Sequence, residues 1–216
     1  MIFAAGYGTR MRPLTDDRPK PMIEVGGRPL VDHALDLAEG AGCAPIVANT
    51  HYLPETLDAH LRARGAVVSH EPALLETGGG LRAALPLLGP DPVLTLNSDM
   101  VWRGPNPLSV LRDAWDPARM DGLLLLLDEA AQGRAPPRDF ALDADGVIRS
   151  RPGPWTYSGA QMIRTEGLAD IAEEAFSLNL LWNRLMERGR LHGIAYAGQW
   201  RDVGTPAGIA DAEAIL

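Results

Sequence analysis

Five consecutive leucines at 123–127 run between Gly122 and Asp128 with no polar interruption. An amphipathic helix would show polar positions every third or fourth residue, and a strand with one wet face would alternate. This run does neither, and it falls far short of the ~20 apolar residues that cross a bilayer. It reads as a strand buried on both faces, and such a strand needs helices above and below its sheet. Shorter apolar runs supply the rest of the sheet, with candidate strands at 1–5, 45–49, 66–70, 92–96, 122–127, 140–142, 156–163 and 194–197. Helical stripes fill the gaps at 30–39 (Leu30, Ala34, Leu37, Ala38), 54–64 (Leu57, Leu61), 79–87 (Leu81, Leu85) and 178–188 (Leu181, Trp182, Leu185).

A last helix at 207–216 follows Thr205, which suits an N-cap, and Pro206, which suits a first turn. The stretches 132–139 and 151–155 read as exposed loops. No repeat or linker divides the chain, so the expectation is one α/β domain in three layers, α/β/α. Its central sheet is mixed and mostly parallel, and its second half adds a substrate-binding subregion.

Composition narrows the function. There are 28 acidic and 20 basic residues among 216, giving a formal charge of −8. A nucleic-acid backbone usually meets a basic face, so DNA or RNA is not the expected partner. A small anion remains possible, because a local cationic loop binds one against the net charge. One cysteine, Cys43, precludes an intramolecular disulfide or a Cys-based zinc cluster. The start of the chain has no basic leader, and the expectation is a cytoplasmic protein with no membrane contact. Of the cations, 19 are arginine and one is lysine, Lys20, set between Pro19 and Pro21. An ammonium is a compact point charge where guanidinium is a planar fork, so the lone lysine marks a position worth following.

Lys20 closes a loop that starts at Ala5-Gly6-Tyr7-Gly8-Thr9-Arg10-Met11-Arg12-Pro13-Leu14-Thr15, directly after the first strand. Two glycines allow a sharp turn and bring backbone N–H groups toward an anion. Arg10, Arg12, Arg18 and Lys20 concentrate positive charge, opposed by Asp16 and Asp17, and three prolines stiffen the far side. This suits a triphosphate cradle. Alone, Gly-x-Gly is an ordinary strand-to-loop turn. A dinucleotide fingerprint is rejected, because Met11 stands where its third glycine belongs and prolines interrupt the expected helix.

Three further segments matter. Asn97-Ser98-Asp99 ends a buried strand, where open α/β sheets place ligands, and Asp99 suits one carboxylate ligand of magnesium. Trp200-Arg201-Asp202-Val203-Gly204 offers a second carboxylate, although Asp202 also suits a helix dipole, and no spacing rule joins 99 to 202. Glu76-Thr77-Gly78-Gly79-Gly80 puts glycines before a helix, open to a flat base or simply flexible. The histidines 33, 51, 60, 70 and 192 show no metal-ligand spacing, and no Gly-x-Ser-x-Gly elbow is present.

Together these segments resemble the sugar-1-phosphate nucleotidyltransferases. The first loop matches the family signature from Ala4 to Thr15, followed by Pro19-Lys20-Pro21, and the likeness extends over the whole chain. Ser98 departs from the family's glycine. Within the family, Glu76-Thr77-Gly78-Gly79, Arg138-Asp139-Phe140 and Tyr157-Ser158-Gly159 are most similar to the enzymes that uridylylate N-acetylmuramic acid α-1-phosphate in peptidoglycan recycling. Relatives acting on mannose 1-phosphate with GTP, or glucose 1-phosphate with UTP or dTTP, share the same motifs.

The resemblance implies Mg²⁺-dependent transfer from a nucleoside triphosphate, UTP in the first instance, to a sugar 1-phosphate, with pyrophosphate leaving. It implies Arg10, Lys20, Asp99 and Asp202 as catalytic residues, and Asp99 and Asp202 as the metal ligands. Ala5, Gly6, Tyr7, Gly8, Thr9, Arg10, Lys20, Glu76, Thr77, Gly78, Gly79 and Asn97 would hold the nucleotide. Asn49, Asp139, Tyr157, Ser158 and Gly159 would line the sugar side. Residues 1–100 would mainly serve the nucleotide and 101–216 the sugar phosphate, in a monomer or small homo-oligomer. Arg28, Arg138 and Arg201 stand as candidates to meet the sugar's carboxylate. A non-catalytic nucleotide-sugar sensor is the rival from another class.

Overall fold

The leucine run is a strand whose alternate side chains serve two cores. Leu123, Leu125 and Leu127 join one hydrophobic cluster and Leu124 and Leu126 the other, all essentially inaccessible to water. In the computed structural model, which describes residues 1–89, 91–128 and 139–216, this strand is β8 (Gly122–Asp128). The described elements are, in order, β1 (Ile2–Phe3), β2 (Glu24–Val25), β3 (Arg28–Pro29), α1 (Leu30–Gly40), β4 (Val47–Thr50), α2 (Pro54–Ala63), β5 (Val67–His70), α3 (Glu76–Ala84), β6 (Val93–Asn97), β7 (Met100–Arg103), α4 (Pro107–Ala114) and β8. After the next described residue, Asp139, come β9 (Phe140–Leu142), β10 (Ile148–Ile163), α5 (Asn179–Glu187), β11 (Leu191–Ala195), β12 (Gln199–Asp202) and α6 (Ala207–Glu213).

The main sheet has the order β11-β8-β10-β6-β1-β4-β5, with β9 added to β10. Neighbours are parallel except along β10, which is antiparallel to β6, β8 and β9. Helices α1, α2 and α4 pack into the cluster with Leu123, while α3 and α5 pack into the cluster with Leu124. The architecture is therefore the expected three-layer sandwich with a mixed, mostly parallel sheet. From β1 the chain winds outward to β4 and β5, then returns to the other side of β1 as β6. That reversal opens a crevice beyond the carboxyl ends of β1 and β6, where open α/β sheets bind ligands.

Several boundaries differ from the sequence reading. Residues 151–155 lie inside β10, where Trp155 pairs with Asp128 and Phe140, so they are strand and not loop. Strand β11 starts at Leu191, earlier than the apolar residues at 194–197 suggest, because His192 and Gly193 pair with β8. Helix α3 starts at Glu76, which places all three glycines inside it. Helix α4 was not expected, yet Asn106 caps it by accepting from the N–H groups of Leu108 and Ser109, with Pro107 in the first turn. Thr205 makes no side-chain cap on α6; its carbonyl accepts the Gly208 N–H instead. Of the loop at 132–139, all but Asp139 lies outside the described residues, Arg138 included. Among the described residues no helix is long and apolar enough to cross a membrane.

Candidate active site

The loop after β1 turns at Gly8, whose φ of +62° favours glycine. A Cβ there would stand 2.9 Å from Lys20 Cβ and 3.0 Å from Thr15 Cγ2, so the missing side chain lets the lysine stem lie against the turn. Thr15 Oγ1 donates to the Gly8 carbonyl at 3.0 Å and fixes the loop's far side. Met11 is fully buried beneath it, between α6 and β7. The cations then separate. Arg12 pairs with Asp16 and Arg18 with Asp17, all four exposed, and neither arginine lines the crevice. Arg10 and Lys20 do.

Asp99 follows β6, and its Oδ2 accepts a hydrogen bond from Lys20 Nζ at 2.6 Å. Ser98 is anchored by two bonds to the Phe3 carbonyl, from its N–H at 3.1 Å and its hydroxyl at 2.8 Å. The serine that replaces a glycine in the motif therefore ties β6 to β1. Asp202 arrives from the other end of the chain through the β7–β12 ribbon, where it pairs with Met100, and Val203 N–H donates to the Asp99 carbonyl at 2.9 Å. The fold thus brings residues 99 and 202 onto adjoining backbone, which one-dimensional spacing could not, although Asp202 itself is not among the residues lining the crevice. Gly204 completes the corner. A Cβ on it would lie 2.9 and 3.0 Å from the two Asp202 carboxylate oxygens and 3.2 Å from Arg10 Nη1. The carboxylate and the guanidinium both border this glycine.

The crevice, about 470 Å³, is lined by Ala5, Gly6, Gly8, Thr9, Arg10, Lys20, Asn49, Glu76, Thr77, Asn97 and Asp99, among others. Tyr7 is exposed and outside this lining; its ring packs edge-on against His51 and Tyr52. Asn49, expected on the sugar side, belongs to this first crevice. Its Oδ1 accepts the Ala4 N–H and its Nδ2 donates to buried Glu71, which holds the loop's entry in place.

Gly78 and Gly79 correct the sequence reading. Both are buried and donate their N–H groups to the Phe176 carbonyl at 2.8 and 3.1 Å. A Cβ on Gly78 would fall 2.3 Å from the Phe176 ring, and one on Gly79 2.5 Å from the Glu174 carbonyl. These glycines pack helix α3 against 174–176 and do not face the crevice, whereas Glu76, with φ +59°, and Thr77 do. Thr77 Oγ1 also accepts the Leu178 N–H at 3.0 Å.

A second pocket, about 530 Å³, shares Phe3, Thr77, Asn97 and Ser177 with the first. Its remaining walls are Asp139, Phe140, Arg151, Pro152, Tyr157, Leu178, Asn179 and Trp182. Asp139 accepts the Tyr157 N–H at 2.9 Å, and burial pushes the Tyr157 phenol above its ordinary range, so it stays protonated. Ser158 is fully buried, donates to the Leu125 carbonyl, and does not reach the pocket. Gly159, at the β10 bulge with φ +89°, lies against the Asn97 side chain and positions it. Of the arginine candidates, Arg28 pairs with Asp36 and Arg201 bonds the Trp200 carbonyl. The arginine in this wall is Arg151, missed because its Pro- and Gly-rich surroundings read as a surface loop.

This geometry agrees with the relationships of the chain. Residues 1–133 match the model of the MobA-like NTP transferase domain. The chain is 42% identical to the N-acetylmuramate alpha-1-phosphate uridylyltransferase of Caulobacter vibrioides, over 100% of this chain and 96% of that protein. It is 33% identical to the protein of the same name from Neisseria meningitidis serogroup B, with the same coverage. A solved UDP-glucose pyrophosphorylase complexed with UDP-glucose superposes with a TM-score of 0.78 at 17% identity, over 99% of this chain and 96% of that one, which establishes the shared fold. The chain belongs to the MobA-like NTP transferase family and is a sugar-1-phosphate nucleotidyltransferase.

Proposed function

We propose that the chain transfers a uridylyl group from UTP to N-acetylmuramic acid α-1-phosphate, giving UDP-N-acetylmuramic acid and pyrophosphate. The observation that carries this reading is the pair of joined pockets. One is walled by two cations, Arg10 and Lys20, and two carboxylates, Glu76 and Asp99, at the switch point of the sheet, and the other continues past Asn97 with room for a substituted sugar. The choice of UTP and N-acetylmuramate rests on the names of the two full-length relatives. The product belongs to cytoplasmic recycling of the cell wall. The chain then acts as one catalytic domain, with 1–100 serving mainly the nucleotide and 101–216 mainly the sugar phosphate.

In this mechanism a phosphate oxygen of the sugar 1-phosphate attacks the α-phosphorus of UTP in line, and the bond to the β-phosphate breaks. No general base is required, since the attacking monoester is already an anion at neutral pH. Positioning and charge neutralisation carry the rate. Gly6, Gly8, Thr9 and Arg10 hold the β- and γ-phosphates that leave, and Lys20 lies on the α-phosphate, where charge develops. Glu76, Thr77 and Asn97 face base and ribose, and Asp139 and Tyr157 bound the sugar. Asp99, in the turn between β6 and β7, and Asp202, at the end of β12 opposite Met100, are hard oxygen donors that would suit Mg²⁺ completed by phosphate oxygens and water. When bound, Mg²⁺ supplies Lewis-acid neutralisation of the phosphates.

The test is pyrophosphate release with Mg²⁺, crossing UTP, GTP, CTP and dTTP against N-acetylmuramic acid, glucose and mannose 1-phosphates. Turnover concentrated in UTP with N-acetylmuramate is expected. Preference for GTP with mannose, or for glucose, would overturn the substrate and keep the chemistry. Nucleotide binding without turnover in any combination would leave a sensor.

A further inference from the structure

Arg151 is the cation in the wall of the second pocket among the described residues. Strand β10 carries it into the groove, and its guanidinium carbon lies 4.3 Å from the centre of the Phe140 ring and 5.4 Å from that of Trp182. Stacking on two rings fixes the plane of the fork, and both terminal nitrogens donate to one acceptor, Asn179 Oδ1, at 3.1 Å each. Nε is buried with no hydrogen-bond partner among the described residues.

Among the arginines of intermediate exposure, Arg64 pairs with Asp32 and Asp36, and Arg164 and Arg190 pair with Asp121, while Arg82 and Arg184 donate to backbone carbonyls at the ends of neighbouring segments. Arg151 has a neutral amide instead. Asp139, in the same pocket, is the carboxylate whose field it feels, but Asp139 Oδ2 is engaged by the Tyr157 N–H. Burial lowers the Arg151 pKa from its ordinary value, yet guanidinium remains charged in proteins. A desolvated, pre-oriented cation whose direct hydrogen-bond partner among the described residues is a neutral amide suits an anion from elsewhere, and a planar fork favours a carboxylate.

We propose that Arg151 is a specificity-determining residue of the acceptor pocket, binding a carboxylate on the sugar so that the enzyme prefers an acidic amino-sugar 1-phosphate over its neutral counterpart. The inference rests on the functional reading above and deepens it. N-acetylmuramic acid differs from N-acetylglucosamine by one lactyl ether, whose carboxylate is the group in question. Phe140, Trp182 and Asn179 act as its frame, holding the guanidinium flat against the pocket wall.

The experiment measures kcat/KM with UTP for N-acetylmuramic acid 1-phosphate and N-acetylglucosamine 1-phosphate, in the wild type, Arg151→Gln and Arg151→Lys. The readout is the ratio of the two, which cancels any shared loss from loosened packing. The expected result is a ratio about 10- to 100-fold smaller in Arg151→Gln, carried mainly by KM of the acidic sugar, since that is the scale of a charge-assisted hydrogen bond. Arg151→Lys keeps the charge without the fork and should fall between. Should Arg151→Gln fail to fold, an intermediate ratio in Arg151→Lys still supports the proposal. A wild-type preference that survives in every folded variant would overturn this inference alone. A wild type that turns over the neutral sugar and ignores N-acetylmuramate would overturn the functional reading, and this inference with it.

Discussion

The Lys20 ammonium and the Asp99 carboxylate are joined at 2.6 Å although 79 positions separate them in the chain. Their side chains are 12% and 25% exposed, so the pair sits inside the crevice and not on a wet surface. Lys20 is the chain's single lysine among 19 arginines. A compact ammonium on a flexible stem suits the role proposed for Lys20, contact with charge on a phosphate, better than a planar, forked guanidinium would.

Lys20→Ala and Asp99→Asn should therefore each lower kcat by about 10²-fold or more, the scale of removing one charge aimed at a transition state. Both variants should fold, because the neighbouring anchors, Thr15 on Gly8 and Ser98 on Phe3, remain. Steady-state pyrophosphate release and a thermal melt check this together. Near-normal turnover in either folded variant would remove the pair from the chemistry.

Asp202 carries a separate prediction about the metal. It reaches Asp99 through the backbone bond from Val203 and the pairing of β12 with β7. Asp202→Asn should raise the Mg²⁺ concentration needed for half-maximal rate at least tenfold, consistent with the loss of one hard anionic ligand. Chelation with EDTA should abolish wild-type turnover, and added Mg²⁺ should restore it. An Asp202→Asn enzyme with an unchanged Mg²⁺ titration would remove Asp202 from the metal site.

Much of this arrangement was legible in the sequence where local chemistry speaks. The leucine run forced a doubly covered strand, Gly8, Arg10 and Lys20 stand in one glycine- and cation-rich loop after β1, and Asp99 stands just past the end of a buried strand. Three kinds of information were hidden. Asp202 joins the site by a strand pair too short to show a period. Arg151 was masked because strand β10 runs through prolines and a glycine, which read as punctuation in one dimension. Gly78 and Gly79 were read as open backbone, when close approach of another segment is an equally common reason for glycine.

Gly78→Ala separates those two roles. Its Cβ would fall 2.3 Å from the Phe176 ring and 2.9 Å from the Phe176 carbonyl, neither of which is a free chain end that swings away. The variant should lose about 1–3 kcal/mol of stability by overpacking. It should also weaken nucleotide binding, because the same contact seats Thr77 in the crevice wall. Urea unfolding alongside KM for UTP distinguishes the cases. A stable protein with a raised KM alone would indicate direct base contact, whereas lost stability identifies packing.

His192 sets a pH dependence of stability. It is 3% exposed in β11, paired with Leu123 of β8, and its Nδ1 is buried without a partner among the described residues. Burial lowers its pKa below the ordinary 6.5, helped by the charges of Arg119 and Arg190 and opposed by a backbone hydrogen bond and Asp143. The unfolded chain therefore takes up a proton at a higher pH than the folded one. Its contribution to stability is present in full above pH 6.5 and declines as the pH falls from there toward the folded-state pKa. The carboxylates with depressed pKa values, Asp17, Asp36, Asp121 and Asp143, lose theirs only at lower pH, as they protonate. The urea midpoint should accordingly drop between pH 7 and pH 5.5, and His192→Leu should flatten that drop whatever it does to stability at pH 7. An unaltered slope in the variant would show that another group governs the acid side of the stability curve.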